Sequence, residues 1–240
     1  MQEYPNDLHS CPKDCLTCPF LNFSLLDKLD AASIETLNKH KFKVAFKAGE
    51  YIHKEGNKIQ GLTCIKSGKI KVFKASPRGN ELIMSLRKPV HFLGLVDLLL
   101  HHHHHSSAMA LEDTEICTIE RDYFLKAFKT NHHFSLRISE YLAKVVESTQ
   151  IHFLNLTQKH MRGRMAYALI YLYDFFGTRD QDSFINLSLK RADLAALTNL
   201  TTANVIRTLA SFEEEDLIEI KGRDIRITDL TKMHQVCEMN

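Results

Sequence analysis

The chain has 240 residues, of which 44% are hydrophobic and 25% are charged, and its formal net charge is +2. This composition is typical of a globular protein long enough for two domains, and it excludes a disordered or fibrous chain. Because the net charge is so small, any affinity for nucleic acid must come from local clusters of basic residues. The sequence has no long apolar run and starts with polar residues, so we expect a cytoplasmic protein with reduced cysteines and no membrane partner.

Residues 1–20 hold three of the six cysteines, Cys11, Cys15 and Cys18, in a segment that three prolines interrupt. The prolines predict a loop rather than a helix. Three thiols this close together can converge on one metal ion or one iron–sulfur cluster, but a fourth ligand must come from elsewhere in the chain. A short amphipathic helix is predicted to follow from Leu25 to Leu37.

From Phe42 to Ile119 the apolar residues recur at period two, in short runs separated by glycines. This pattern predicts an antiparallel barrel or sandwich, with strands at Val44–Phe46, Leu62–Lys66, Lys69–Phe73, Leu82–Leu86 and Glu115–Ile119. Five consecutive histidines, His101–His105, lie between two of these strands. We favour a solvated loop of low complexity for this tract, and the alternative is a site for a divalent metal.

Helical spacing returns from Arg121 to Gln158. Seven residues in this stretch recur at steps of four or three, as in the seam of a two-stranded coiled coil: Phe134, Ile138, Leu142, Val145, Thr149, His152 and Leu156. This predicted seam indicates a homodimer that forms without a ligand, and the alternative is a helix packed on its own barrel. Gly163 is predicted to be a hinge, and Met165–Phe176 is predicted to be the first helix of the next domain.

Residues 188–212 contain two short amphipathic segments that Thr198 and Asn199 separate. Asn tolerates the left-handed conformation that a tight turn requires, and Thr201 or Thr202 can cap the second helix. A stripe of apolar residues, Val205, Ile206, Leu209 and Phe212, predicts that the second helix packs on a core. Alternating apolar residues on both sides of Gly222 then predict a hairpin. The order indicates a winged helix-turn-helix, whose second helix enters the major groove of DNA.

A sensor barrel, a long dimer helix, a hinge and a winged helix in this order resemble the Crp/Fnr family of bacterial transcription regulators. The resemblance covers residues 20–230 and depends on AGEYIHKEGN and IKSGKIKVF in the barrel and on DLAALTNLTTANVIRTL and LIEIKGRDIRI near the C-terminus. It implies an α+β fold with an antiparallel β-roll of the cyclic-nucleotide-binding type. The implied domains are a cysteine-containing arm (1–20), a β-roll sensor (21–130), a dimerisation helix with hinge (131–160) and a winged helix (161–240).

Nucleotide-binding members of this family carry a glutamate for the ribose and an arginine for the cyclic phosphate. The resemblance places the corresponding effector pocket at Gly94, Leu95, Ser106 and Ser107, with Leu95 in place of the glutamate and Ser106 in place of the arginine. A phosphate pocket without its guanidinium lacks its main charge-assisted hydrogen bond. The resemblance therefore argues against cyclic AMP as the effector.

The same family contains an oxygen sensor that carries a [4Fe–4S] cluster on three N-terminal cysteines and one barrel cysteine. By this resemblance the ligands are Cys11, Cys15, Cys18 and Cys117, since Cys18 begins the sequence Cys-Pro-Phe and Cys117 falls where the barrel cysteine does. The three N-terminal cysteines are more closely spaced than in the sensor, so an iron–sulfur cluster, zinc and no metal remain open. Cys64 is interpreted as a buried strand residue and Cys237 as a residue of a loose tail.

In the recognition helix, members of the family often read L-[ST]-x-E-T-[VI]-x-R. Arg207 matches the arginine that donates to guanine, whereas Ala203 replaces the glutamate that accepts from cytosine. The residues implied to contact DNA are Thr201, Thr202, Ala203, Asn204 and Arg207, with Lys190, Arg191, Lys221 and Arg223 nearer the phosphates.

The function that the resemblance implies is that of a homodimeric transcription regulator, not an enzyme. It would bind a double-stranded operator with two-fold symmetry, and it would contact RNA polymerase if it is an activator. Its signal would be redox, oxygen or nitric oxide, sensed through an iron–sulfur cluster. The alternative is a small molecule or metal that binds in the β-roll pocket without a cluster.

Overall fold

The computed structural model describes residues 15, 16, 18, 21, 24–77 and 79–238. The chain divides into two compact units: one contains the residues up to Lys74 together with Met84–Val145, and the other contains Ala75–Ile83 and the residues from Val146 onwards. Among the described helices, none combines the length and the apolar character that crossing a membrane would require.

The antiparallel β-roll that the resemblance implies is confirmed. Its strands are β1 (Lys41–Phe46), β2 (Tyr51–His53), β3 (Gly61–Ser67), β4 (Ile70–Ala75), β5 (Glu81–Arg87), β6 (Phe92–Leu93), β7 (Ser107–Ala110) and β8 (Thr114–Glu120). They form two four-stranded sheets, in the orders β1-β8-β3-β6 and β2-β7-β4-β5. Strands β2, β6 and β7 were not predicted because strands this short hold too few residues to show an alternation.

Short helices cover the β-roll and close its core. A 3-10 turn (Leu25–Lys28) and helix α1 (Ala31–Lys39) precede the strands, helix α2 (Leu95–Leu100) follows β6, and helix α3 (Arg121–Thr130) follows β8. The single helix predicted from Leu25 to Leu37 is interrupted because the Asp30 side chain accepts a hydrogen bond from the Ser33 N–H and caps a new helix there. The apolar faces of these elements meet in one cluster that includes Leu62 and Phe124.

Helix α4 (His132–Gln158) begins after Asn131, whose side chain accepts a hydrogen bond from the Phe134 N–H. Phe134 and Ile138 are fully buried in the β-roll core, and Leu142 packs against the same cluster. The ring of Phe134 meets that of Phe124 edge to face, with 5.8 Å between their centroids. The predicted seam is therefore wrong at Phe134 and Ile138, because both side chains are fully buried in the core of their own chain, and it stays a prediction at Leu142 and beyond.

A different stripe of α4 is exposed, and we call it the exposed stripe. Its members alternate steps of three and four: Leu136, Ser139, Ala143, Val146, Gln150, Phe153 and Thr157. From Ser139 onwards each of them directly follows a residue of the predicted seam, which corresponds to a rotation of about 100° around the helix. Val146 is 56% exposed and Phe153 is 64% exposed. Of the remaining predicted seam, Val145, His152 and Leu156 are half-buried and Thr149 is exposed.

The second unit contains helix α5 (Met161–Phe176), helix α6 (Arg191–Thr198), helix α7 (Thr202–Glu214), strands β9 (Ile218–Lys221) and β10 (Asp224–Ile227), and helix α8 (Leu230–Glu238). Gly163, the residue predicted to be a hinge, is buried inside α5, which begins after His160. Cys237 lies in α8 rather than in a loose tail. Helix α8 was not predicted from the sequence, and it packs along α5 with Met233 fully buried.

Candidate DNA-binding surface and sensing cavities

The turn between α6 and α7 has the geometry that the sequence predicted. Asn199 adopts the left-handed conformation, with φ 51° and ψ 47°. Thr201 caps α7, since its side chain accepts a hydrogen bond from the Asn204 N–H at 3.2 Å. The guanidinium of Arg164 in α5 donates to the carbonyl of Asn199 at 3.1 Å and holds the turn against the body of the domain.

Helix α7 has one buried face and one exposed face. Val205, Leu209 and Phe212 are buried as predicted, but Ile206 is 53% exposed. The prediction that Ile206 packs is wrong because it lies about 100° around the helix from Val205. The exposed residues at the start and on this face of α7 are Thr201, Thr202, Ala203, Ile206, Arg207 and Ala210, and Asn204 is half-buried beside them.

Arg207 and Asn204, the two longest polar side chains expected to read bases, are bonded to each other. Arg207 Nη2 donates to Asn204 Oδ1 at 2.6 Å. This bond holds the guanidinium on the exposed face, and it occupies the carbonyl oxygen that an asparagine needs for a bidentate contact with adenine. Arg207 is thus the better placed of the two for a base edge.

The four basic residues that were expected near the phosphates, Lys190, Arg191, Lys221 and Arg223, differ in whether their side chains already make hydrogen bonds or ion pairs within the protein. Arg191 is half-buried and donates to the carbonyl of Gly222 in the β9–β10 turn at 3.1 Å, and its burial lowers the pKa of the guanidinium. Lys221 Nζ lies 3.2 Å from Glu219 Oε1. Lys190 and Arg223 are exposed, and neither side chain makes a hydrogen bond or ion pair with the described residues. Lys190 and Arg223 are therefore the cations most available to phosphates.

A cavity of about 90 Å³ lies in the β-roll where the effector pocket is implied. Gly94, Leu95 and Ser106 line it, as do side chains that the sequence analysis did not select: His53, Val72, Arg87, Asp97, His105 and Tyr141. Ser107 is not among the lining residues, because its hydroxyl faces the backbone of Glu55 and accepts a hydrogen bond from it at 3.0 Å.

A buried carboxylate organises one side of this cavity. Asp97 is 3% exposed and accepts hydrogen bonds from His104 Nδ1 at 3.3 Å and from His105 Nδ1. Burial alone would raise the pKa of Asp97, but the two histidines outweigh it and the pKa is lowered. The ring of His53 stacks on that of His104 with 3.6 Å between centroids, and burial, reinforced by His104, lowers the pKa of His53 to about 3.

The histidine tract is therefore only partly the solvated loop that we favoured. His101, His102 and His103 are exposed. His104 folds inward, where only 10% of its side chain is exposed, because the Asp97 carboxylate needs hydrogen-bond donors. No spacing rule links Asp97 to histidines seven and eight residues later, so the sequence analysis could not pair them.

A second cavity, of about 60 Å³, is lined by four cysteines: Cys15, Cys18, Cys64 and Cys117. The ammonium of Lys41 lies beside them and donates to Cys15 Sγ at 2.9 Å. Cys64 is half-buried in this cavity, where the sequence analysis had given it only a packing role, whereas Cys11 lies outside the described residues. No three His, Cys, Asp or Glu side chains in the described part of the chain are already arranged to hold a metal ion.

Two family models match the chain. A cyclic nucleotide-binding domain matches residues 43–131, and a Crp-like helix-turn-helix domain matches residues 163–236. The chain is 29% identical to "Electron transport regulator A" of Shewanella oneidensis, over 92% of this chain and 86% of that protein. It is 26% identical to "Anaerobic regulatory protein" of Aggregatibacter actinomycetemcomitans, over 96% of this chain and 88% of that protein. The solved structure of FixK2 from Bradyrhizobium japonicum has a similar fold, with a TM-score of 0.74 at 19% identity, over 83% of this chain and 98% of that one.

Proposed function

We propose that this chain, which belongs to the Crp/Fnr family of transcription regulators and is not an enzyme, acts as a cytoplasmic homodimer on double-stranded DNA. The observation that carries the proposal is the exposed face of α7, which presents Ala203, Ile206 and Arg207. Such a face combines an apolar surface for thymine methyl groups with a guanidinium for guanine. Lys190 and Arg223 are exposed cations of the same unit, and the contact of Arg191 with Gly222 brings their two segments together. These two cations can hold the phosphates and fix the register of the helix.

Each protomer presents one recognition helix, so a dimer requires an operator with two-fold symmetry and half-sites about one helical turn apart. The surface that we assign to dimerisation is the exposed stripe of α4 rather than the predicted seam. A heptad of exposed residues that includes Val146 and Phe153 is the pattern that a two-stranded coiled coil buries. If the regulator is an activator, RNA polymerase is its further partner.

The test is selection of bound fragments from a genomic library, followed by fluorescence anisotropy on the recovered sites. We expect a palindromic motif and strong salt dependence of the affinity. Arg207→Ala should weaken binding to the selected site, whereas Lys129→Ala, an exposed cation on α3, serves as the matched control and should leave it unchanged. Selection that enriches no sequence would contradict the proposal.

We further propose that the signal is oxygen or redox state, sensed through a [4Fe–4S] cluster held by cysteines of the arm and the β-roll. Three of the four predicted ligands, Cys15, Cys18 and Cys117, line one cavity, and thiolates are the soft ligands that iron–sulfur clusters require. The cluster would supply reactivity toward oxygen. The names of two relatives, an electron transport regulator and an anaerobic regulatory protein, support this assignment.

The cluster is tested by purifying the protein without oxygen and measuring its absorption spectrum, iron and acid-labile sulfide. We expect a brown protein that loses its colour in air and changes its affinity for the operator as it does so. Iron content at background after anaerobic reconstitution would reject the cluster and leave the DNA-binding proposal intact.

One observation favours a second signal, an anionic small molecule in the β-roll cavity. Arg87 lines this cavity, and its Nε is buried and has no hydrogen-bond partner among the described residues. A carboxylate or phosphate would satisfy this donor with a charge-assisted bond. Thermal-shift measurements with inorganic phosphate and with small carboxylates test it: stabilisation of the wild type that Arg87→Ala abolishes supports the alternative, and no stabilisation by any of them rejects it.

A further inference from the structure

We infer that Cys64 is a ligand of the metal group held by the arm, together with Cys15, Cys18 and Cys117, and that Cys11 is not required. The inference rests on the proposed function, because it concerns which thiols would hold the proposed cluster. It changes the ligand set at one position: Cys64, a residue of the β-roll, replaces Cys11, the first cysteine in the sequence.

The first step is the position of the arm. The backbone N–H of Cys15 donates to the side chain of Asn38 at 3.1 Å, which ties the arm to the end of α1. The N–H of Cys18 donates to the carbonyl of Cys15 at 3.2 Å, and that of Leu21 donates to the carbonyl of Cys18 at 2.9 Å. Cys15 and Cys18 line one cavity together with residues of β1, β3 and β8.

The second step is the register of that sheet. Cys64 of β3 pairs directly with Cys117 of β8. Cross-strand partners project from the same face of an antiparallel sheet with Cβ atoms about 5 Å apart. Cys64 is therefore a thiol that the sheet places directly beside Cys117, and both thiols line the cavity that Cys15 and Cys18 line. The proposed set thus contains a thiol pair from the arm and a thiol pair from the sheet.

The third step is charge. Four metal-bound thiolates carry more negative charge than an iron–sulfur core neutralises, and buried charge is costly without a partner. Lys43 is the β1 partner of Cys117, and Lys41 lies two residues earlier on the same face, where its ammonium already contacts Cys15. Lys41 is the cation that can offset this charge. Each thiol loses its proton to solvent when it binds the metal, so loading depends on pH.

The fourth step is the number of ligands. A [4Fe–4S] cube takes four thiolates, and the described residues supply four around one cavity without Cys11. Cys237 lies on α8 in the other compact unit, which makes it a matched thiol outside the site.

The experiment reconstitutes the full-length protein anaerobically with iron and sulfide, and it compares the wild type with Cys64→Ser, Cys117→Ser, Cys11→Ser and Cys237→Ser. The readouts are iron and sulfide per chain and the absorption spectrum, and circular dichroism of the metal-free proteins checks folding. Cys64→Ala is a second variant in case a serine hydroxyl is not tolerated in the half-buried site. We expect about four irons per chain in the wild type, Cys11→Ser and Cys237→Ser, and a loss of at least half the iron in both Cys64 variants and in Cys117→Ser.

Full iron in a folded Cys64 variant, together with loss of iron in Cys11→Ser, would overturn the inference and restore Cys11 as the fourth ligand, while the cluster itself would stand. Zinc instead of iron in the purified protein, lost from the same Cys64 variants, would support the ligand set and reject the cluster. A wild type that holds neither metal would reject both.

Discussion

The exposed stripe of α4 makes a sharp prediction, because Val145 and Val146 are adjacent valines that belong to different faces. Val145 belongs to the predicted seam and lines the β-roll cavity, whereas Val146 belongs to the exposed stripe and is 56% exposed. We predict that Val146→Glu dissociates the dimer and that Val145→Glu does not.

The magnitude follows from the area that the dimer would bury. Full burial of a valine side chain is worth about 1.5–3 kcal/mol, so the exposed half of Val146 contributes about 1 kcal/mol in each of two protomers. A loss of about 2 kcal/mol weakens dimerisation about 30-fold. Two glutamates facing each other across a two-fold axis also repel and must be desolvated, so 30-fold is the minimum that we expect.

The assay is sedimentation velocity over a concentration series, without DNA and without any small molecule, and circular dichroism confirms that both variants fold. Val145→Glu should lower the thermal stability of its own domain and leave the dimer dissociation constant within about threefold. A folded Val146→Glu that dimerises as tightly as the wild type would refute the assignment of the exposed stripe. A wild type that is monomeric at high concentration would refute dimerisation as well.

Four further outcomes are expected. Arg207→Ala should weaken operator binding by about 1–3 kcal/mol and relax one base position, and an unchanged sequence preference in anisotropy would show that the register of α7 is wrong. Arg223→Ala should reduce the slope of log affinity against log salt concentration by about one unit. Lys221→Ala should reduce it by less, because Lys221 is paired with Glu219, and the same slope in both variants would contradict this. Calorimetry should detect no micromolar binding of cyclic AMP or cyclic GMP, since Leu95 and Ser106 replace the ribose and phosphate partners. Because the pKa of His53 is lowered to about 3 in the folded chain, only the unfolded chain binds a proton at this residue as the pH falls below about 6.5. The free energy of unfolding measured with urea should therefore be about 2 kcal/mol lower at pH 5 than at pH 7. His53→Gln, which does not titrate, should remove this part of the pH dependence.

The sequence determined the features of this protein that depend on local chemistry. Asn199 tolerates a left-handed turn and Thr201 or Thr202 offers an oxygen to an N-terminal N–H, so the turn of the helix-turn-helix could be placed to within about one residue. Strands of six or seven residues show their alternation, and β1, β3 and β8 were found for that reason. The local spacing of the arm cysteines likewise identified a candidate metal site before any strand was paired.

Only the tertiary structure decided which apolar stripe of α4 is covered. Steps of three and four locate a stripe on a helix, but α4 carries two stripes with this spacing, the predicted seam and the exposed stripe, one residue apart. The contact of Phe134 with Phe124 determines that the first turns of α4 bury the predicted seam. The local pattern of the sequence was equally insufficient to predict the two cavities of the β-roll. Cys64 and Cys117 are 53 positions apart in sequence and meet through the pairing of β3 with β8, and Asp97 meets His104 through the fold of a loop. A single sequence records side-chain types and local periods. Contacts between residues that are far apart in sequence depend instead on strand register and loop closure, which the packing of the whole domain sets.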